Sequence, residues 1–235
     1  MRIHVWLAKH TKLSRRKAES YVAEGRVTVS GKQAVVGQIV TEADTVYLDN
    51  KCVRAITVVP KLLALHKPVG FVCTAKPQAQ QTSVLDLLPE QHTKWILIGR
   101  LDVNTSGLLL VTTDGELANL MAHPSSNIER EYLVRVNGTL TESMLAEMKS
   151  GIELDDGRVV VKRIKPHGKS TGRNGWYEMV LEEGRNRVVR RLMAYYQLQV
   201  SRLIRVRFGP IKLERQLGVG KYQEIDIEWV KNRLK

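Results

Sequence analysis

Two short apolar segments stand on either side of a polar loop near the middle of the chain. The first is WILI (95–98) and the second is GLLLVTT (107–113), and their length and apolarity are typical of buried strands. The loop that joins them, GRLDVNTS (99–106), contains a single acidic residue, Asp102. Without its surroundings, an aspartate among turn-forming residues such as these most often caps a turn.

The remainder of residues 62–235 mixes strand patterns with amphipathic helix patterns. Strands are predicted on both sides of the turn Lys67–Gly70, and again within residues 129–138, 175–184 and 201–209. Helices are predicted where capping residues or apolar positions recur at helical spacing, within residues 82–89, 114–124, 140–151 and 186–196. This irregular order predicts an α+β domain with a largely antiparallel, mixed sheet.

Residues 1–58 are predicted to form a separate, smaller domain, which a short linker at 55–61 joins to a larger domain at 62–235. Within the smaller domain, Ser14 is placed to cap a helix that Gly25 can end in the left-handed conformation.

Three cations occupy the first turn of this helix, where the helix dipole disfavours positive charge. They are Arg15, Arg16 and Lys17. These side chains form either a solvated turn or a phosphate-binding patch.

Several positions of this segment match a pattern of the S4 RNA-binding domain, a module of two helices and a small sheet. They are Ser14, Arg15, Ala18, Val22, Gly25, Val27, Val29 and Gly31. The segment departs from the family at His4, where an aspartate is frequent. The resemblance implies an S4-like RNA-binding domain, with the three cations in contact with RNA.

The charge of the chain favours polyanionic partners. Lys and Arg number 37 against 24 Asp and Glu, which gives a net charge of +13, and residues 183–215 hold nine basic residues and two acidic ones. Nucleic acid is the first candidate partner for a protein with this positive charge, and an anionic membrane surface is the second.

The cellular setting predicted from the sequence is the reducing cytoplasm. The two cysteines, Cys52 and Cys73, are far apart and do not suggest a disulfide framework. No apolar run approaches the roughly 20 residues of a membrane span, and the first residues lack a signal-peptide cleavage pattern.

Several familiar reaction centres find no support in the sequence. There is no GxxxxGK[ST] loop and no GxGxxG segment, the six histidines do not pair at metal-ligand spacing, and NTSG (104–107) is not a nucleophile elbow. The residues alone therefore leave open an RNA-binding protein or an enzyme that acts on RNA.

Four segments resemble the motifs of RNA pseudouridine synthases. They are HKPVG (66–70), GRLDVNTSGLLL (99–110), EREYLVRV (129–136) and EGRNRVVRRLM (183–193). With the S4-like segment in front, the chain is similar to the branch that acts on ribosomal RNA. Its motif sequences most resemble those of the large-subunit enzymes. It departs from the family at Val188, where a polar residue is usual.

The resemblance implies a role for each matching residue. Asp102 acts at the ribose, Arg185 stabilises its charge, and Tyr132 lies against the flipped base, with Val189 in the apolar floor beneath it. Arg100 fills the vacated stack or binds the next phosphate. The RNA backbone is held by Lys67, Arg187 and Arg190.

The predicted reaction is the isomerisation of a uridine in ribosomal RNA, with the large subunit favoured. It needs neither a cofactor nor a metal, because nothing is oxidised and no group is imported. The expected partner is ribosomal RNA or a ribosome assembly intermediate, and we expect a monomer with no protein partner and no membrane association. Three alternatives stay open: a non-catalytic RNA-binding or assembly factor, the same chemistry on small-subunit RNA, and a phosphodiester- or glycoside-cleaving enzyme.

Overall fold

The structure is a computed structural model that describes residues 1–55, 59–90, 94–168 and 173–234. It divides into two compact units, of which the first comprises residues 1–60 and 89–95 and the second comprises residues 61–88 and 96–235. The assignment of residues 89–90 and 94–95 to the first unit was not predicted. Part of the predicted linker, residues 56–58, lies outside the described residues. Within the described ranges, no helix has the length and apolarity to cross a membrane.

The first unit packs two helices on a small antiparallel sheet of strand order β2-β1-β3-β4. Its elements are α1 (Ile3–His10), α2 (Arg15–Ala23), β1 (Val27–Val29), β2 (Lys32–Gln33), β3 (Val46–Leu48) and β4 (Lys51–Val53). Ser14 caps α2 as predicted, because its hydroxyl accepts the amide of Lys17 at 3.2 Å. Apolar residues from both helices and the sheet, including Leu7 and Val22, form its core.

The second unit is built around one large sheet. Its strands are β5 (Leu62–Lys67), β6 (Phe71–Val72), β7 (Thr82–Ser83), β8 (Ile96–Ile98), β9 (Ser106–Thr112), β10 (Arg130–Asn137), β11 (Ile152–Leu154), β12 (Gly157–Val159), β13 (Arg163–Pro166), β14 (Asn174–Leu181), β15 (Gln199–Phe208), β16 (Ile211–Lys212) and β17 (Tyr222–Glu224). Its helices are α3 (Gly115–Ala122), α4 (Glu142–Ser150), α5 (Val188–Tyr195) and α6 (Ile227–Leu234), with 3₁₀ turns at Val84–Leu87 and Pro124–Ser126.

The large sheet has the strand order β13-β14-β10-β15-β9-β5-β17, with β8 paired to β9 and β16 paired to β15. Among the described residues its pairs are antiparallel except β9 with β15, so the prediction of a largely antiparallel sheet is confirmed. The strands on either side of the turn after Lys67 do not pair with each other, because β5 joins the large sheet and β6 pairs with β7.

Two hydrophobic clusters cover the sheet, and they meet at β15. One packs α4 and α5 against β10 and β14 and takes in Leu203 of β15, whereas the other packs α3 and α6 against β5, β8 and β9 and takes in Phe208 of β15. Gly107 allows the parallel strands to approach here. It has φ +105°, and a Cβ atom at this position would lie 2.3 Å from the carbonyl oxygen of Arg205.

Candidate active site

The polar loop with Asp102 joins two adjacent antiparallel strands, β8 and β9. Both strands are anchored in the same core, through Ile98 and Leu108. The loop closes on itself where the amide of Thr105 donates to the carbonyl of Asp102 at 3.0 Å. The Asp102 side chain is 31% exposed, so its carboxylate can be reached from outside while the loop beneath it is held by the sheet.

Four consecutive carbonyls of this loop accept hydrogen bonds from the two neighbouring motifs. The ammonium of Lys67 donates to the carbonyls of Asp102 and Thr105 at 3.1 and 2.8 Å. The carbonyl of Val103 accepts from the amide of Gly70 at 2.8 Å, and the carbonyl of Asn104 accepts from Arg190 at 2.9 Å. The HKPVG and EGRNRVVRR segments therefore fix the backbone on which Asp102 stands.

Lys67 was predicted to hold the RNA backbone, but its side chain is not at the surface. It is fully buried, and its third hydrogen bond goes to the carbonyl of Pro68 at 2.9 Å. Burial lowers the pKa of this ammonium, and the charges of Cys73 and Asp102 partly oppose that shift. Its buried position makes Lys67 a clamp on the loop, and a role in holding the RNA backbone is wrong for it.

The guanidinium beside Asp102 belongs to Arg190 of α5. Its Nε lies 3.9 Å from the Oδ2 of Asp102, and Nη1 donates to the carbonyl of Val200 at 3.1 Å. Burial lowers the pKa of Arg190 and the charge of Arg187 lowers it further, whereas Asp102 opposes the shift. Within the described structure, Nε is buried and makes no hydrogen bond, so it is available to an acceptor near the carboxylate.

Arg185, which the motif pattern assigned to Asp102, has other partners. It forms ion pairs with Glu183 and Asp156. It also donates to the carbonyls of Asp156, Gly157 and Arg158 at 2.8–3.0 Å. The predicted pairing with Asp102 is therefore corrected to Arg190. A guanidinium beside the buried stripe of an amphipathic helix can reach inward, but Arg190 and Arg191 both border that stripe, so the sequence did not distinguish them.

Tyr132 lies on the large sheet near the start of β9. It stands opposite Arg205 of β15, which in turn stands opposite Gly107 of β9. The side chain of Tyr132 is buried in the cluster that α5 covers, together with Val188 and Val189. The unusual valine at 188 thus packs in an apolar core.

Cys73 is a neighbour of the loop that sequence reasoning missed. Its Sγ accepts the amide of Leu101 at 3.5 Å. Burial raises the pKa of this thiol, and the charges of Lys67, Arg205 and Arg100 oppose the shift. Arg100 itself is exposed and follows Gly99, which has φ +71°. Among the described residues, no cluster of histidine, cysteine and carboxylate side chains is suited to a metal.

The other predicted RNA contacts are exposed. Arg187 precedes α5 in the left-handed conformation with φ 49°. Arg15, Arg16 and Lys17 are exposed at the start of α2, and the Nζ of Lys17 lies 4.5 Å from the centre of the Tyr21 ring.

Comparison with known proteins gives consistent matches. The sequence profile of the family described as RNA pseudouridylate synthase matches residues 61–195. It begins after the first domain, so the S4-like assignment of residues 1–58 stays a prediction. A solved structure described as a pseudouridylate synthase is similar over the full length of both chains, with a TM-score of 0.69 and 23% identity, and supports the fold.

Three curated relatives carry the name ribosomal large subunit pseudouridine synthase B. The chain is 46% identical to the protein of Pseudomonas aeruginosa over 91% of its own length and 56% of the relative's. It is 44% identical to the protein of Haemophilus influenzae, over 94% and 64% of the two lengths. It is 46% identical to the protein of Salmonella typhimurium, over 91% of its own length and 75% of the relative's. The chain thus spans between about half and three quarters of these relatives.

Proposed function

Because the chain belongs to the RNA pseudouridylate synthase family, as its motifs indicated, we propose that it converts a uridine of large-subunit ribosomal RNA to pseudouridine. The observation that carries the proposal is the reachable carboxylate of Asp102, on a loop clamped through four carbonyls and 3.9 Å from the guanidinium of Arg190. Preorganised groups of this kind stabilise charge that develops during a reaction.

The proposed reaction rearranges one nucleotide. The bond between N1 of uracil and C1′ of the ribose breaks, the base turns, and C5 bonds to C1′. The proton leaves C5 and N1 gains one, so the atoms balance without a cofactor. Asp102 either attacks C1′ or removes the C2′ proton. Both routes use the carboxylate form of Asp102.

The target uridine has to leave the RNA stack to reach Asp102. Unstacking costs about a few kcal/mol, which other contacts with the RNA have to offset. The exposed guanidinium of Arg100, two residues before Asp102, is placed to fill the gap or to bind the adjacent phosphate. In the proposal, Tyr132 lies against the extruded base and takes part in proton transfer at C5.

Ribosomal RNA is the proposed substrate on two grounds. The relatives with 44–46% identity are named for the large ribosomal subunit, and the net charge of +13 favours a polyanion. We propose that the protein acts as a cytoplasmic monomer on free RNA or on an assembly intermediate.

The deciding experiment replaces Asp102 by asparagine, which keeps the shape of the side chain and removes its charge. We expect the wild-type protein to form pseudouridine on an unmodified large-subunit RNA transcript and D102N to form none while still binding the RNA. Carbodiimide mapping by primer extension reads the product, and a filter-binding titration reads the affinity. Asp114→Asn is the matched control, because asparagine also caps helices and α3 keeps its cap.

Each alternative has its own outcome. Pseudouridine formed by D102N would make the catalytic assignment wrong. A wild-type protein that modifies only small-subunit RNA would keep the chemistry and change the substrate. If it binds both RNAs and modifies neither, it is an RNA-binding or assembly factor. Cleaved RNA would favour a hydrolase.

A further inference from the structure

Arg205 of β15 is a buried cation without a neutralising partner. It is 2% exposed, and within the described part of the chain it forms no ion pair and its Nη2 makes no hydrogen bond. Its Cζ lies 5.0 Å from the centre of the Phe208 ring, a contact that offsets part of the cost of burial. Burying a charge is unfavourable unless the group is paired. A guanidinium that is kept in such a place therefore calls for a role that outweighs its cost.

The hydrogen bond that Arg205 does make ties it to the strand that leaves the Asp102 loop. Its Nε donates to the carbonyl of Leu108 at 2.8 Å, and its backbone pairs in parallel with Gly107. The guanidinium also lies near the start of the loop. Burial raises the pKa of the Cys73 thiol, which accepts the amide of Leu101, and the charge of Arg205 is one of those that oppose this shift. Arg205 is therefore close to both ends of the loop.

The same residue stands opposite Tyr132 on the other side of its strand. The two are cross-strand partners, and the register between β10 and β15 shifts directly beside them. Opposed side chains of an antiparallel pair share a face, with Cβ atoms about 4.5–5.5 Å apart. Burial lowers the pKa of Arg130, Tyr132 opposes that shift and Arg205 adds to it, so these three groups lie within electrostatic reach of one another. Because β15 lies between β9 and β10 in the sheet, Arg205 links the end of the loop to Tyr132.

Resting on the proposed function, we infer that Arg205 is a positioning residue of the reaction, which fixes the Asp102 loop and Tyr132 relative to each other. The two groups act at different atoms of one nucleotide, Asp102 at the ribose and Tyr132 at C5 of the turned base. A misplacement of about 1 Å can slow a reaction about 100-fold. Loosening this link slows the loss of the C5 proton most, because that step needs the base to have turned against Tyr132.

Two other roles can be separated from this one by experiment. An arginine that contacts RNA sets the affinity for RNA and its salt dependence, but the burial of Arg205 keeps its charge away from phosphates. An arginine that only stabilises the sheet sets the melting temperature and slows every step alike when it is lost. A positioning residue changes which step of the reaction is slow.

The test compares single turnovers on large-subunit RNA transcripts that carry either hydrogen or deuterium at C5 of uridine. We expect R205M to slow the reaction by about 10- to 100-fold, the loss expected for a bond to a charged group. The ratio of the two rates should rise above the wild-type ratio, because loss of the C5 proton becomes the slower step. R205K keeps a cation and a donor and should lie between R205M and the wild-type protein in both measurements.

Arg207→Met is the matched control. Arg207 lies on the same strand, but its guanidinium donates to Glu129 and Glu131 and not to the loop. R207M should lower the melting temperature and keep the wild-type isotope ratio. RNA affinity and its salt slope should be the same in R205M as in the wild-type protein, whereas the loss of one single-strand phosphate contact would reduce the slope by about 0.7.

Amide hydrogen exchange examines the link without catalysis. We expect residues 102–110 to exchange faster in R205M than in the wild-type protein, because the bond to the carbonyl of Leu108 is lost. R207M should leave their exchange unchanged. If thermal unfolding shows that R205M does not fold, R205K carries the same comparisons.

The inference and the proposed reaction fail in different ways. An unchanged isotope ratio in R205M, or a reduced salt slope that accounts for the lost rate, would overturn the role of Arg205 and leave the reaction intact. Unchanged exchange of residues 102–110 would also overturn it, because the link would then not hold the loop. A wild-type protein that forms no pseudouridine would refute the proposed reaction, and with it any role of Arg205 in that reaction.

Discussion

Arg185 and Arg190 belong to one motif but contact different partners. Arg190 lies beside the carboxylate of Asp102, whereas Arg185 binds Glu183, Asp156 and nearby carbonyls. We expect R190M to slow a single turnover by about 10- to 100-fold, because interactions with a charged group contribute about 1.5–3 kcal/mol. R190K should recover part of the rate. R185M should lower the melting temperature, and its rate should stay closer to that of the wild-type protein than the rate of R190M does.

Single-turnover rates and thermal unfolding of the three variants separate these roles. A larger rate loss in R185M than in R190M would indicate that Arg185, and not Arg190, is the functional partner of the Asp102 carboxylate. Failure of R190K to recover any rate would indicate that the planar guanidinium, with its bonds to the carbonyls of Val200 and Asn104, matters more than the charge.

Lys67 offers a second test, because two effects oppose each other there. Removing its buried ammonium relieves the cost of desolvation, but it takes a donor from the carbonyls of Pro68, Asp102 and Thr105. Of these three, the carbonyl of Asp102 keeps the amide of Thr105 as a second donor. Unsatisfied buried acceptors cost about 1–3 kcal/mol each. We therefore expect K67M to lose stability by about 1–3 kcal/mol in urea unfolding and to slow the reaction. The exposed Lys76→Met is the control, and equal stability of the two variants would show that the clamp does not hold the loop.

The β11–β12 hairpin is tied to α5 by an ion-pair network, and this affects where α5 presents Arg190. The Asp156 carboxylate forms two ion pairs. Its Oδ2 lies 2.6 Å from Nη2 of Arg191, and its Oδ1 lies 2.9 Å from Nη1 of Arg185. The bond from Arg191 is the main cause that lowers the pKa of Asp156, and the charge of Arg185 adds to it. A carboxyl with a lowered pKa in the folded protein stabilises it above the unfolded pKa, about 3.9. That stabilisation is lost as the pH falls through the lowered folded value.

We expect D156N to melt below the wild-type protein at pH 7, with the difference shrinking as the pH falls below about 4. Thermal unfolding from pH 7 to pH 3 measures it. D155N is the comparison, because the Asp155 carboxylate is 81% exposed and, among the described residues, forms an ion pair with Arg191 only, so its effect at pH 7 should be smaller. A difference that persists unchanged at pH 3 would show that the asparagine acts through something other than lost charge.

Local patterns predicted most elements of the second unit, because alternation and caps depend on neighbours in sequence. The segment at 82–89 shows the limit. The capping box of Ser83 and Asp86 formed, but the turn it begins is a short 3₁₀ helix after β7. Caps fix where a helix begins, whereas its length depends on what it packs against.

Across the whole molecule, the sequence left undetermined the contacts that join distant segments. Asp102 and Arg190 meet because β9 pairs in parallel with β15 and α5 packs on β15. Nothing local to the EGRNRVVRR segment says which of its arginines reaches the loop. Lys67 presented the same difficulty, since an exposed phosphate-binding lysine and a buried clamp look alike in sequence.

The last prediction concerns the first unit and its share of RNA binding. Arg15, Arg16 and Lys17 stand exposed at the start of α2, where the helix dipole disfavours cations unless an anion is bound. We expect the triple alanine variant to bind the ribosomal RNA transcript more weakly, with a salt slope reduced by up to about 2 if all three contact single-stranded phosphates. Ser14 remains as the cap, so the melting temperature should hold. A slope equal to that of the wild-type protein would make these cations a solvated turn and remove the main support for an RNA-binding role of residues 1–58.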